Sequence, residues 1–144
     1  MEISKAIRTA YFQALSGNIT YNSSNVPVYD VYAIPEGVTY PYILLSSQTS
    51  SQISVKRCKR YNTTLLVDIV TGNQQPIGRG QSEDIAEQVQ SIVSPDTFVE
   101  LDLSTYGYQL LNTELESNTD LSSKNDTYYI FRKLLRFNSL TVKL

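Results

Sequence analysis

The chain has 144 residues, a net charge of −2, 18% charged side chains, eleven tyrosines, one cysteine and no histidine. A length near the modal domain size points to a single domain spanning 1–144 that needs no metal or disulfide to hold it. Lone Cys58 excludes an internal disulfide and a cysteine-based zinc site, and the missing histidine removes the commonest general base and transition-metal ligand.

In chain order, Ile3, Ile7, Ala10, Tyr11 and Ala14 form a helical stripe that Gly17-Asn18 should end. Met1-Glu2-Ile3-Ser4 does not read as a secretory signal, and no apolar run approaches the ~20 residues of a membrane span. After a polar linker over 18–25, Val26–Ile34 reads as a strand whose start Pro27 places at an edge. Pro35-Glu36-Gly37 is a turn, and Tyr40-Pro41-Tyr42-Ile43-Leu44-Leu45 opens the next strand. Residues 46–56 are too polar for core and are expected to form an extended hairpin tip or loop.

The centre of the chain is a strand feeding a helix. Tyr61, Thr63, Leu65, Val67 and Ile69 share one face at period two. A loop over 71–81 leads to Ser82, expected to cap a helix over about 82–93, with Glu83 and Asp84 at its positive end. Ile85, Val89, Ile92 and Val93 form its apolar stripe, and Ser94-Pro95 stops it. Phe98–Leu103 and Thr105–Leu115 alternate as strands, and 117–126 has loop composition. In the last segment the apolar parity switches near Asn138, which predicts a bulge, a bend or two short strands. The order reads as α+β: a mainly antiparallel sheet with an N-terminal helix and a second helix packed on it.

Charge is segregated. Residues 81–131 hold ten acids against Lys124, whereas Lys56, Arg57, Lys59 and Arg60 flank Cys58, and Arg132, Lys133, Arg136 and Lys143 close the chain. Such a layout suits subunits meeting through unlike patches, or two ordinary solvated faces. Asp68, Asp102 and the pair Glu114/Glu116 are the only carboxylates to nominate for chemistry, and alternating acids are far commoner as a solvent face. Gly78-Arg79-Gly80 lacks the Lys-Ser/Thr of a phosphate loop. Four Asn-x-Ser/Thr matches, at Asn18, Asn22, Asn62 and Asn125, read as accidents of composition.

The amphipathic first helix, Val28-Tyr29-Asp30, Pro35 ahead of Tyr40–Leu45, the polar hairpin, Asn62–Ile69, the Ile85–Val93 helix and the basic last strand together resemble the tail-terminator or tail-completion proteins of tailed bacteriophages. Segment 97–127 is longer and more acidic than that pattern. The resemblance implies a structural virion protein with no enzymatic role and no cofactor. It would form an oligomeric ring in the neck, join portal or connector proteins to tail proteins, and surround DNA without sequence-specific binding. On that reading Lys56, Arg57, Lys59, Arg60, Arg132, Lys133 and Arg136 are the expected subunit interface or lumen residues. The alternative is a small nucleic-acid-binding or adaptor module using 56–60.

Overall fold

A computed structural model describes residues 1–31, 33–95 and 101–144. Its elements are α1 (Ile3–Leu15), β1 (Thr20–Tyr21), β2 (Ser24–Asn25), β3 (Val28–Asp30), β4 (Tyr42–Val55), β5 (Cys58–Asn73), α2 (Gly80–Val93), β6 (Tyr108–Lys124) and β7 (Tyr129–Lys143). Five strands form one sheet in the order β3-β4-β5-β7-β6, antiparallel throughout except that short β3 joins β4 in parallel. This is the α+β class with an N-terminal helix that the sequence predicts.

The period-two apolar rows explain where the core sits. On one sheet face Ile43 lies opposite Ile69, Leu45 opposite Val67, Leu65 opposite Phe137 and Val67 opposite Leu135. Both helices pack there, α1 burying Ile3, Ile7, Tyr11 and Leu15, and α2 burying Ile85, Val89 and Val93. Each such side chain contributes about 1.5–3 kcal/mol of transfer free energy. Tyr11 meets Phe137 edge-on, with ring centroids 6.1 Å apart.

Local signals set the helix ends. The Glu2 side chain accepts from the Lys5 amide at 3.2 Å, and Gly17 follows α1 at φ +78°, a conformation that favours glycine. Ser82 does not cap α2. The helix begins at Gly80 with Arg79 in the capping position, and the buried Ser82 hydroxyl donates back to the Arg79 carbonyl at 2.9 Å. Asn22 and Ser23, both at positive φ, close the two-residue β1–β2 hairpin as its twist requires. Gln88 of α2 then clamps the Thr20 backbone at both N–H and C=O.

Several expectations change. Residues 46–55 form an extended hairpin with β5, one of the two forms expected of them, whereas 117–124 are strand rather than loop because β6 runs on through them as a partner of β7. Their composition is polar since neither stretch presents an apolar face to the helices. β3 covers only Val28–Asp30, shorter than the Val26–Ile34 strand, of which Tyr32 lies outside the described residues. Of the Phe98–Leu103 strand, 98–100 lie outside the described residues and 101–103 carry no strand. A 3-10 turn, Ser104–Tyr106, precedes β6 there. β7 is one unbroken strand, and the register shifts lie in its partner, at Leu110/Asn112 and Leu115/Ser117 of β6. The parity switch near Asn138 has another cause. The core row continues as hydroxyls, Ser139 and Thr141, while Leu140 and Val142 lie half-buried on the opposite face.

Candidate functional site

β5 has 16 residues and spans roughly 50 Å, whereas helices of 13 and 14 residues span roughly 20 Å. On the helix side the β5 row Thr63, Leu65, Val67, Ile69 and Thr71 is buried, and no helix among the described residues packs on the other face. At either end of the sheet a hairpin arm runs past that buried row. The β4–β5 hairpin ends at Lys56-Arg57, beyond the last β5–β7 rung, Arg60 opposite Val142. The β6–β7 hairpin ends over 125–128, at the opposite end of the sheet.

The seven basic residues do not come together as one patch. Lys56 and Arg57 form the two-residue turn of the first arm, with Lys56 at φ +47°. Lys59 and Arg60 are exposed just behind them, on opposite faces of β5. Arg136, Lys133 and Arg132 stand opposite Leu66, Ile69 and Val70, farther along the ladder and roughly 20–30 Å from Arg60. There Arg132 bridges to Asp68, its Nε donating to Oδ1 at 3.4 Å and its Nη2 bonded to Oδ2. That bond, more than any other cause, raises the Arg132 guanidinium above its ordinary value. Lys133 is buried on the helix side and donates to Asp120 at 3.2 Å, and Asp120 also lies 3.8 Å from Arg79. Two of the four basic residues of the last strand, Arg132 and Lys133, are thus satisfied within the chain. None of Lys56, Arg57, Lys59, Arg60 or Arg136 forms an ion pair among the described residues.

The acids divide in the same way. Asp68 and Asp120 are occupied by Arg132 and Lys133, and Arg8 of α1 holds Asp30 at 3.2 Å. Glu83, Asp84 and Glu87 are exposed on α2 with no cation paired to them among the described residues. Between α2 and the β6 edge runs a groove of about 570 Å³ lined by Glu83, Glu87, Gln90, Ser91, Asn118 and Lys133.

The carboxylates nominated for chemistry have other duties. Asp68 is an ion-pair partner. Asp102 accepts from the Ser104 backbone at 2.9 Å, and hydrogen bonds from Ser104 hold its carboxyl below the usual range. Glu114 accepts from Asn112 at 3.0 Å, and the register shift at Leu115/Ser117 breaks the alternation that would set Glu116 beside it. Among the described residues no three His, Cys, Asp or Glu side chains group as a metal site. Arg79 and Gly80 open α2, so Gly78-Arg79-Gly80 is the entry to a helix rather than a phosphate cradle.

One feature is absent from the sequence reading. Tyr40 stacks on Tyr42 with centroids 5.9 Å apart, tilts against Tyr128 at 5.1 Å, and Tyr42 meets Tyr29 at 6.1 Å. Gly72 makes room for this cluster: a Cβ there would lie 2.6 Å from the Tyr40 ring. Burial raises the Tyr42 phenol, with Tyr40 adding to it. The only sequence signal is the high tyrosine count, because the four rings come from three distant segments.

No protein-family model and no curated protein matches this sequence. Among solved structures, the chain is similar to one from the virion of a native gene transfer agent (GTA) particle. The two share 16% identity with a TM-score of 0.72, over 97% of each chain. A second solved chain, 18% identical over 94% of each, has a TM-score of 0.46, too low to carry an argument. At such identities the likeness is one of fold, and it extends over nearly the full chain.

Proposed function

We propose that this chain is a structural virion protein of a tailed phage or phage-like particle. It forms an oligomeric ring at the head–tail junction, between portal or connector proteins and the tail, with DNA passing through the lumen. The observation that carries this reading is the end-to-end likeness in fold to a chain of a gene transfer agent virion. The β4 edge beyond Leu45, which no strand among the described residues borders, supports it: it offers surface for neighbours, and unlike surfaces repeated by rotation close into rings. A near-neutral chain also suits a lumen through which DNA must slide without tight phosphate binding.

Electron cryo-microscopy of particles tests the reading. It expects density for several copies around the axis between head and tail, and finding the chain elsewhere in the particle refutes the neck position. A second reading, a nucleic-acid-binding or adaptor module, draws on the unpaired cations at Lys56, Arg57, Lys59 and Arg60. It predicts a monomer that binds single- or double-stranded DNA with steep salt dependence and has no place in the particle.

A further inference from the structure

Resting on the ring reading, we infer that the basic β4–β5 tip of one copy docks into the acidic groove between α2 and β6 of the next. The same contact, repeated head to tail, closes the ring.

Charge is the first argument. Lys56, Arg57, Lys59 and Arg60 sit within five residues with no acid paired to any of them among the described residues. Glu83 and Glu87 line the groove equally uncompensated, with Asp84 beside them on α2. The one cation in the groove wall, Lys133, is buried and held by Asp120, so it does not cancel the acids. Unlike patches of this kind steer encounter and fix register.

Shape and topology agree. The tip is a two-stranded end closed by two residues, and with Cys58 and Lys59 it extends past the last β5–β7 rung, so Lys56 and Arg57 are presented at the end of the sheet. Tip and groove belong to opposite edges of one sheet, β4 and β6, so a chain cannot fill its own groove. The contact joins two different surfaces and is therefore heterologous, the type that generates rings.

The strand behind the tip adds a separate observation. From residue 46 to the turn, β4 carries no charged residue and no proline, and no strand among the described residues borders its outer side. Free edges of monomers are ordinarily guarded by such residues. β6 has that guard, with Glu114, Glu116 and Asp120 and two register shifts. An unguarded edge leading to a basic tip is what a strand covered by a neighbouring copy needs.

Two charge-reversed chains test the inference, each first checked for a wild-type circular dichroism spectrum and melt. One carries Lys56→Glu and Arg57→Glu, the other Glu83→Lys and Glu87→Lys. Ring formation is read by native mass spectrometry and by incorporation into particles, across a sodium chloride series. Each variant alone should assemble about 100-fold more weakly than wild type. Carrying all four changes in one chain should restore rings. Mixing the two variants should give rings in which they alternate, with an even copy number only.

If wild type forms rings and both variants do so equally well, the tip-to-groove contact is wrong while the ring reading stands. The contact is also overturned if the tip reversal is not rescued by the groove reversal and instead abolishes binding to a DNA duplex. A wild-type chain found in no ring, free or in particles, overturns both.

Discussion

Arg132→Met should cost far more stability than Asp68→Asn, although each removes the same ion pair. The side chain of Asp68 is 4% exposed and that of Arg132 44% exposed. Asp68 lies on the face away from the helices, opposite Leu44 on one side and Leu134 on the other, and is buried there. Without Arg132 its carboxylate stays buried with no counter-charge, a loss of about 3–5 kcal/mol. With an amide in place of the Asp68 carboxylate, the guanidinium still donates to its Oδ1, so only the charge attraction is lost and the cost is about 0.2–1 kcal/mol. The double replacement Asp68→Leu/Arg132→Met restores an apolar rung and should lie near wild type. Urea denaturation reads this directly: with a slope of about 1–3 kcal/mol/M, Arg132→Met should lower the midpoint by roughly 1–5 M. Equal shifts for the two single variants would show that water reaches Asp68 and that its burial does not set the cost.

Thr141→Val replaces a buried hydroxyl that finds no hydrogen-bond partner among the described residues, so it should be neutral or raise stability by about 1 kcal/mol. Ser139→Ala should lower stability by a similar amount in a thermal melt, because that hydroxyl lies 3.4 Å from Tyr11 Oη and 3.3 Å from Thr113 Oγ1. Gly72→Ala forces the Tyr40 ring aside at a cost of about 1–3 kcal/mol, visible as altered near-ultraviolet circular dichroism with unchanged far-ultraviolet signal. Burial raises the Tyr108 phenol, with Tyr61 and Glu2 adding to it, and its hydroxyl donates to the Met1 carbonyl at 2.7 Å. The fold therefore holds the neutral form. The associated stability is fully present below the unfolded value near pH ~10 and is lost as pH rises through the folded one. Urea midpoints between about pH 8 and pH 11 should fall, and fall less steeply in Tyr108→Phe.

The parts of the fold legible in the sequence are those where one face is buried. Leu65, Val67 and Ile69 had to alternate because the helices take one side of β5, and Ile85, Val89 and Val93 had to recur at helical spacing because α2 lies on it. Residues 46–53 and 117–124 are strands too, but their side chains are mostly exposed, and Gln48 meets α1 by hydrogen bonds rather than apolar contact, so nothing selects an apolar row and their composition reads as loop. Leu140 and Val142 misled in the opposite sense. They add a half-buried row to the face away from the helices while Ser139 and Thr141 keep the core side, so a straight strand imitates a bent one. For the candidate site, the charges were countable but their pairing was not. Asp68 and Arg132 are 64 residues apart, and only the β5–β7 register brings them into contact. The unpaired cations at 56–60 emerge only after that pairing is known.

The same arithmetic locates where assembly has most to add. Ordering a residue costs about 1–2 kcal/mol of backbone entropy, and a ladder hydrogen bond returns a net ~0.5–1.5 kcal/mol. In the helix-covered middle of the sheet, rows such as Ile69, Val67 and Leu65 supply the difference by burying apolar surface. Toward the β4–β5 tip, Thr49, Ser50 and Ser51 offer no such surface, and past the Arg60–Val142 rung only β4 and β5 remain, a two-stranded end that is marginal in water. Partner contacts on the arm act on hydrogen bonds already formed within the chain. A neighbour that covers β4 and neutralises the tip stabilises the part of the fold that the helices cannot reach. On the ring reading, the polar composition of the arm then serves both states: it keeps the free chain soluble and leaves the arm's final order to the assembled particle.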